Sequence, residues 1–176
     1  MSQGPDSGPH IVIRDFEPEL ALALPATSAL LADANLTLHP RVTQVVLHGS
    51  RGLSQTYRPD SDIDLTLIVS HSAQQSPDVL EMQMRDVFTV TQANWRGAVE
   101  ADLAVVFETR ACGLVCFGAR QWHEQSCTLG GVDCFGLFKA QRGFDGLVWN
   151  AGVQVQRMVP SLIVWRRSLP RSERYS

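Results

Sequence analysis

The sequence predicts an α/β protein of the α+β kind, a mixed β-sheet with helices packed mainly on one face. Three observations carry that prediction. Val42–Leu47, Asp62–Val69 and Val99–Phe107 are apolar, β-branched runs of strand length. Ser76-Pro77-Asp78 opens a stretch in which Leu80, Met84, Val87 and Phe88 recur at helical spacing. The order helix, strand, loop, strand, helix, strand then brings the strands into one sheet with helices against it.

The elements follow in chain order. Residues 1–10 are rich in Ser, Gly, Pro and Asp and read as a flexible tail, with neither the basic start nor the apolar run of a signal peptide. Ile11–Ile13 is a short β-branched run. From Glu19 to Ala34 the positions Leu20, Leu24, Leu30 and Leu31 suit a helix, which Pro25 must kink or divide. Asn35–Pro40 breaks it again. Val42–Leu47 is a strand that runs straight into His48-Gly49-Ser50-Arg51-Gly52, and a polar loop with Pro59-Asp60 as its turn leads on to Ser61. Asp62–Val69 is the clearest strand of the chain. In the helix after it, Ser76 is the N-cap, Pro77 lies in the first turn and Asp78 meets the positive end of the dipole. That helix runs to about Ala93, and Val99–Phe107 is the next strand. Beyond Glu108 the pattern blurs. Cys112–Phe117, Cys134–Ala140, Gly146–Trp149 and Leu162–Trp165 are candidate short elements of unassigned type, and residues 170–176 read as a polar tail. One domain over residues 11–169 is expected, with residues 42–107 as its motif core.

Composition narrows the function classes. The chain has 176 residues, 44% of them hydrophobic and 19% charged, as in ordinary globular proteins. A net charge of −3 lacks the basic surplus that gripping long nucleic acid requires. No run approaches the ~18 apolar residues of a membrane span, so a cytoplasmic protein is expected. The four cysteines, Cys112, Cys116, Cys127 and Cys134, fall in one segment with His123. Only Cys112 and Cys116 have a zinc-knuckle spacing, loosely, so the four read as buried, idle thiols. Trp95, Trp122, Trp149 and Trp165 are expected in the core.

The chemistry is expected where the strands meet their loops. Asp62 and Asp64 lie two apart on a strand, hence on the same face, with Cα atoms about 6–7 Å apart. The apolar row Ile63, Leu65, Leu67 and Val69 on the other face fixes their register. Carboxylates held together in this way need a positive charge between them, and oxygen-only ligation selects Mg²⁺ or Mn²⁺ over zinc. On the strand Val99–Phe107, Asp102 completes a three-acid cluster if the two strands pair. Glu100 shares its facing, but Asp102 lies deeper among apolar neighbours, where an unpaired acid is harder to explain. Gly49-Ser50 after a strand offers backbone N–H groups and a hydroxyl to phosphate. Arg51 and Arg58 flank that loop as candidate contacts to β- and γ-phosphates. Ser61, next to the acid pair, is grouped with them as a nucleotide contact.

Leu-His-Gly-Ser-Arg-Gly followed by Arg-Pro-Asp-Ser-Asp-Ile-Asp-Leu resembles the signature of the DNA polymerase β-like nucleotidyltransferase superfamily, most closely in the wording of its minimal prokaryotic members. The resemblance covers about Val42–Phe107. It implies the nucleotidyltransferase fold, with the triphosphate held at Gly49 and Ser50 and metals bound by Asp62, Asp64 and the third acid, Asp102. It further implies transfer of a nucleoside monophosphate from an NTP to a hydroxyl of a protein side chain or small molecule. The alternative is a catalytically silent, antitoxin-like module that keeps the fold and acts through a partner protein. The sequence departs from many minimal members in that Gly52 directly follows Arg51. Room is left for a homodimer.

Overall fold

A computed structural model of the chain describes residues 8–69, 76–108, 135–148 and 161–168. Eleven elements follow in order. They are β1 (Ile11–Val12), α1 (Pro18–Ala23), α2 (Pro25–Ala32), β2 (Thr37–Leu38), β3 (Val42–His48), β4 (Ile63–Val69), α3 (Pro77–Asn94), β5 (Ala101–Glu108), β6 (Phe135–Lys139), β7 (Gly146–Val148) and β8 (Leu162–Arg166). β1 and β2 form a two-stranded ribbon, and the other strands form a six-stranded sheet in the order β7-β6-β5-β4-β3-β8. β4 and β5 are parallel, and every other pair in that sheet is antiparallel. The molecule is thus a mixed-sheet α+β structure.

Helix boundaries follow local chemistry. Pro25 does divide the first helical stretch, because it lacks an N–H and its ring crowds the preceding turn. It becomes the first residue of α2 while Leu24 leaves the helical conformation. Ser76 caps α3, its hydroxyl accepting from the Val79 N–H at 3.4 Å. Asn35–Pro40 is less irregular than its sequence suggests. It contributes β2, which finds a partner in β1 in the antiparallel pairs Ile11–Leu38 and Val12–Thr37. Of the blurred C-terminal segments, three resolve into β6, β7 and β8, while Cys112–Phe117 and all four cysteines lie outside the described residues.

One apolar cluster fixes which way the sheet faces. Ile63, Leu65, Leu67 and Val69 of β4 join Ala101, Leu103, Val105 and Phe107 of β5, and against them pack Leu20 of α1, Leu31 of α2 and Leu24 between those helices, with Leu80, Met84, Val87 and Phe88 of α3. The helices therefore cover one face, as alternation along the strands requires. Phe88 meets Phe138 of β6 edge-on at 5.8 Å, locking α3 over that side of the sheet. Trp95 and Trp165 are partly buried against the same cluster. The alternate residues, His48, Asp64, Thr66, Asp102 and Ala104 among them, therefore occupy the opposite face. Among the described residues no helix is long and apolar enough to cross a membrane.

Candidate functional site

The site forms where the end of β3 meets the starts of β4 and β5. Because β3 runs antiparallel to β4, His48 pairs with Asp64. Because β5 runs parallel to β4, Asp64 pairs with Asp102. One register thus places the Gly-Ser turn and two acids at the same edge of the sheet. Asp62 precedes β4 and shares the facing of Asp64. Carboxylate oxygens of Asp62, Asp64 and Asp102 all lie within 4.8 Å of one another. Glu100 is exposed and stands outside the cluster, its carbonyl accepting from the Ile63 N–H at 2.9 Å.

Gly49 closes one side. Its φ of +75° is a left-handed conformation that favours glycine. A Cβ there would also fall 2.8 Å from Cγ of Asp64. The Gly49 backbone therefore packs directly on the carboxylate. Gly49 and the three acids are brought together as the sequence predicts, and Ser50 follows Gly49 in the same turn. The chain then turns without forming a helix: the Gly49 carbonyl accepts from the Gly52 N–H at 3.0 Å, and the Ser50 carbonyl from the Thr56 N–H at 3.0 Å.

Arg51 is placed otherwise than expected. It is only 6% exposed, and its guanidinium is spent on backbone. Nε donates to the Ser61 carbonyl at 2.8 Å, and Nη2 to the carbonyls of Arg58 and Pro59 at 3.2 and 3.1 Å. Its face stacks on Tyr57, 4.6 Å from the ring centroid. The Arg51 carbonyl in turn accepts from Thr27 of α2 at 2.8 Å. Arg51 is a positioning residue that ties the Gly-Ser turn to the segment delivering Asp62, and its fork matches carbonyls where a phosphate contact was expected. Ser61 has a similar part, its hydroxyl accepting from the Arg58 N–H at 2.8 Å to close the turn before the acid pair. The Arg58 side chain is exposed beside this loop.

Sequence reasoning missed the part played by the end of β6 and the loop that follows it. Lys139 pairs with Asp102 and also donates to the Leu103 carbonyl at 3.2 Å. Arg142 pairs with Asp62, and its Nε lies 3.4 Å from Asp102. Gln141 between them completes the edge of β5: its amide oxygen accepts from the Leu103 N–H at 2.9 Å, and its amide nitrogen donates to the Ala101 carbonyl at 3.1 Å. The side-chain amide thus extends the ladder of β6 past its last strand residue, bracketing Asp102. Arg142 and Gly143 are the central residues of a turn closed by Phe144 N–H to the Gln141 carbonyl at 3.0 Å. Both have positive φ, 54° and 86°. For a long side chain such as Arg that conformation costs roughly 1–2 kcal/mol, which Asn or Gly would not incur. The only sequence signal for this loop is Gln-Arg-Gly between two short apolar runs, and nothing in it points toward residues 62–102.

Charge is nearly balanced across the cluster. Among the described residues the ion pairs go to Asp62 and Asp102. Asp64 lies between them, and burial first, then the neighbouring Asp62 and Asp102 charges, push its pKa up to about 7. A hydrogen bond with Asp102 favours the same protonated form. His48, whose Nε2 lies 2.9 Å from the Thr66 hydroxyl, is driven by burial down to about 4 and is neutral at pH 7. Three carboxylates with a proton to release, all oxygen donors, fit a hard divalent cation.

No protein-family model, curated protein or solved structure matches the chain.

Two outcomes follow from this geometry. Arg51→Met strips partners from three backbone carbonyls and should lower stability by about 2 kcal/mol or more in urea denaturation. A loss under about 0.5 kcal/mol would show that the loop does not need the guanidinium. The second concerns pH. An acid whose folded pKa is raised loses stability as pH climbs from its unfolded value through its folded one, here from 3.8 to about 7. The buried His48 acts in the opposite sense between 6.5 and about 4, so the comparison must isolate Asp64. In chelator, Asp64→Asn should gain thermal stability over the wild type steadily across that window. A pH-independent difference would contradict the crowding of the three acids.

Proposed function

We propose that the chain is a metal-dependent nucleotidyltransferase, carrying a nucleoside monophosphate from an NTP to a hydroxyl acceptor, in the cytoplasm where NTPs are supplied. The observation that supports this best is the convergence of Asp62, Asp64 and Asp102 within 4.8 Å, against a glycine turn that packs on Asp64. The wording of the Gly49-Ser50 and Asp62-Ile63-Asp64 segments supports it independently, through its resemblance to DNA polymerase β-like nucleotidyltransferases.

Asp62, Asp64 and Asp102 would hold Mg²⁺ or Mn²⁺, which neutralises phosphate charge and acidifies a bound hydroxyl. The turn at Gly49 and Ser50 would seat the triphosphate in line with the acceptor. The acceptor oxygen attacks the α-phosphorus; its new P–O bond forms as the bond to the bridging oxygen breaks, and pyrophosphate departs with that electron pair. The acceptor proton passes to a carboxylate of the cluster. Neutral His48, beside Asp64, adds no charge to this balance. A protein side chain or a small molecule would serve as acceptor.

A second reading has one observation in its favour. Lys139 and Arg142 already neutralise Asp102 and Asp62, as in a module that keeps the fold for a protein partner and performs no transfer.

Thermal unfolding separates these readings from a purely structural acid cluster. ATP or GTP should raise the melting temperature only with Mg²⁺ or Mn²⁺ present, and Asp62→Ala with Asp64→Ala should abolish the shift. An equal shift in the double variant would contradict the site. Nucleotide binding without release of pyrophosphate, in the presence of cell extract as acceptor source, would favour the silent module.

A further inference from the structure

The end of β6 and the loop after it give the site two cations, Lys139 and Arg142, that the acid cluster alone does not explain. We propose that Lys139 and Arg142 are exchange cations: they neutralise Asp102 and Asp62 until a divalent ion takes those carboxylates, and then hold the outer phosphates of the donor. The inference rests on the nucleotidyltransferase reading and deepens it by assigning the triphosphate's cationic partners to the last residue of β6 and the loop after it, outside the Gly49–Asp102 motif.

Geometry supports the exchange. Lys139 and Arg142 contact the same carboxylates that a cation would occupy, so ion and side chains compete directly. Their backbone does not leave when they are displaced. Gln141 pins the loop to both sides of Asp102 through the Leu103 N–H and the Ala101 carbonyl, and Arg85 of α3 holds its far end by pairing with Asp145 at 3.0 Å. A displaced guanidinium therefore stays within a side chain's length of the cluster. Arg142 is the more exposed member, at 53%, whereas Lys139 is 13% exposed and keeps the Leu103 carbonyl as a second partner. The turn itself has no need of arginine, since its left-handed position suits Asn or Gly better. A planar fork is suited to the paired oxygens of a carboxylate and equally to those of a phosphate, which lets one side chain serve both states.

Competition and recruitment give effects of opposite sign, which a merely structural arginine would not produce. Arg142→Asn removes the charge while suiting the positive φ, and calorimetric titration can follow Mn²⁺ alone and then tripolyphosphate at fixed Mg²⁺. The variant should bind Mn²⁺ roughly two- to fivefold more tightly, the scale of one exposed ion pair, and tripolyphosphate more weakly by at least as much. Arg142→Lys, which keeps the charge without the fork, should fall between the wild type and Arg142→Asn in both titrations. If the wild type binds both ligands and Arg142→Asn leaves both unchanged, or moves both in the same direction, the exchange is overturned while the nucleotidyltransferase reading stands. A wild type that takes up neither Mn²⁺ nor tripolyphosphate overturns both.

Discussion

The parallel register of β4 and β5 is the constraint on which the site depends. It sets Asp64 opposite Asp102 with Asp62 close by, an arrangement that like charges oppose. The strands cannot slip to relieve it. A shift of one residue would turn Ile63, Leu65, Leu67 and Val69 away from the helices and expose the row that anchors the core. Burial of that row, about 25 cal/mol per Å², is far larger than the repulsion between acids that retain solvent contact. The cluster is therefore held in place by packing and relieved locally, by a proton on Asp64 and by Lys139 and Arg142.

Around that register the structure uses side chains in place of backbone. Arg51 serves three carbonyls before Asp62, Ser61 closes the turn beside it, and Gln141 continues the β6 ladder where the strand has ended. Each of these polar contacts fixes a loop that regular secondary structure does not reach. The consequence is a site whose loops are each tied by several polar contacts, while its charges are met by side-chain ion pairs. That combination suits the proposed transfer, which asks for positioning and charge neutralisation in the same place.

The sequence was legible where the signal was local and periodic. Alternation in Asp62–Val69 and Val99–Phe107 predicts which residues face the helices, and Asp102, the deeper of the two acids, is the one that clusters with Asp62 and Asp64 while Glu100 is exposed. Strand edges were softer: β4 begins at Ile63 and β5 at Ala101, each slightly inside the expected run. The Pro25 division, the Ser76 cap and the strain-tolerant Gly49 were likewise written in single residues. What stayed hidden depended on contacts across many residues. Lys139, Gln141 and Arg142 reach the site only because β6 pairs with β5, and nothing near them in sequence announces that pairing. Arg51 reads as a phosphate contact because it flanks the Gly-Ser loop, whereas its partners are carbonyls seven to ten residues onward, reached through a loop that no periodicity describes.

Asp62, Asp64 and Asp102 converge within 4.8 Å beside the Gly49 turn, and the proposed metal would lie among them. Anomalous diffraction from crystals soaked in Mn²⁺ tests it most directly. A peak within coordination distance of all three carboxylates, on the side of Gly49, is expected. A Mn²⁺ peak elsewhere on the chain, or the three acids apart in the electron density, would contradict it.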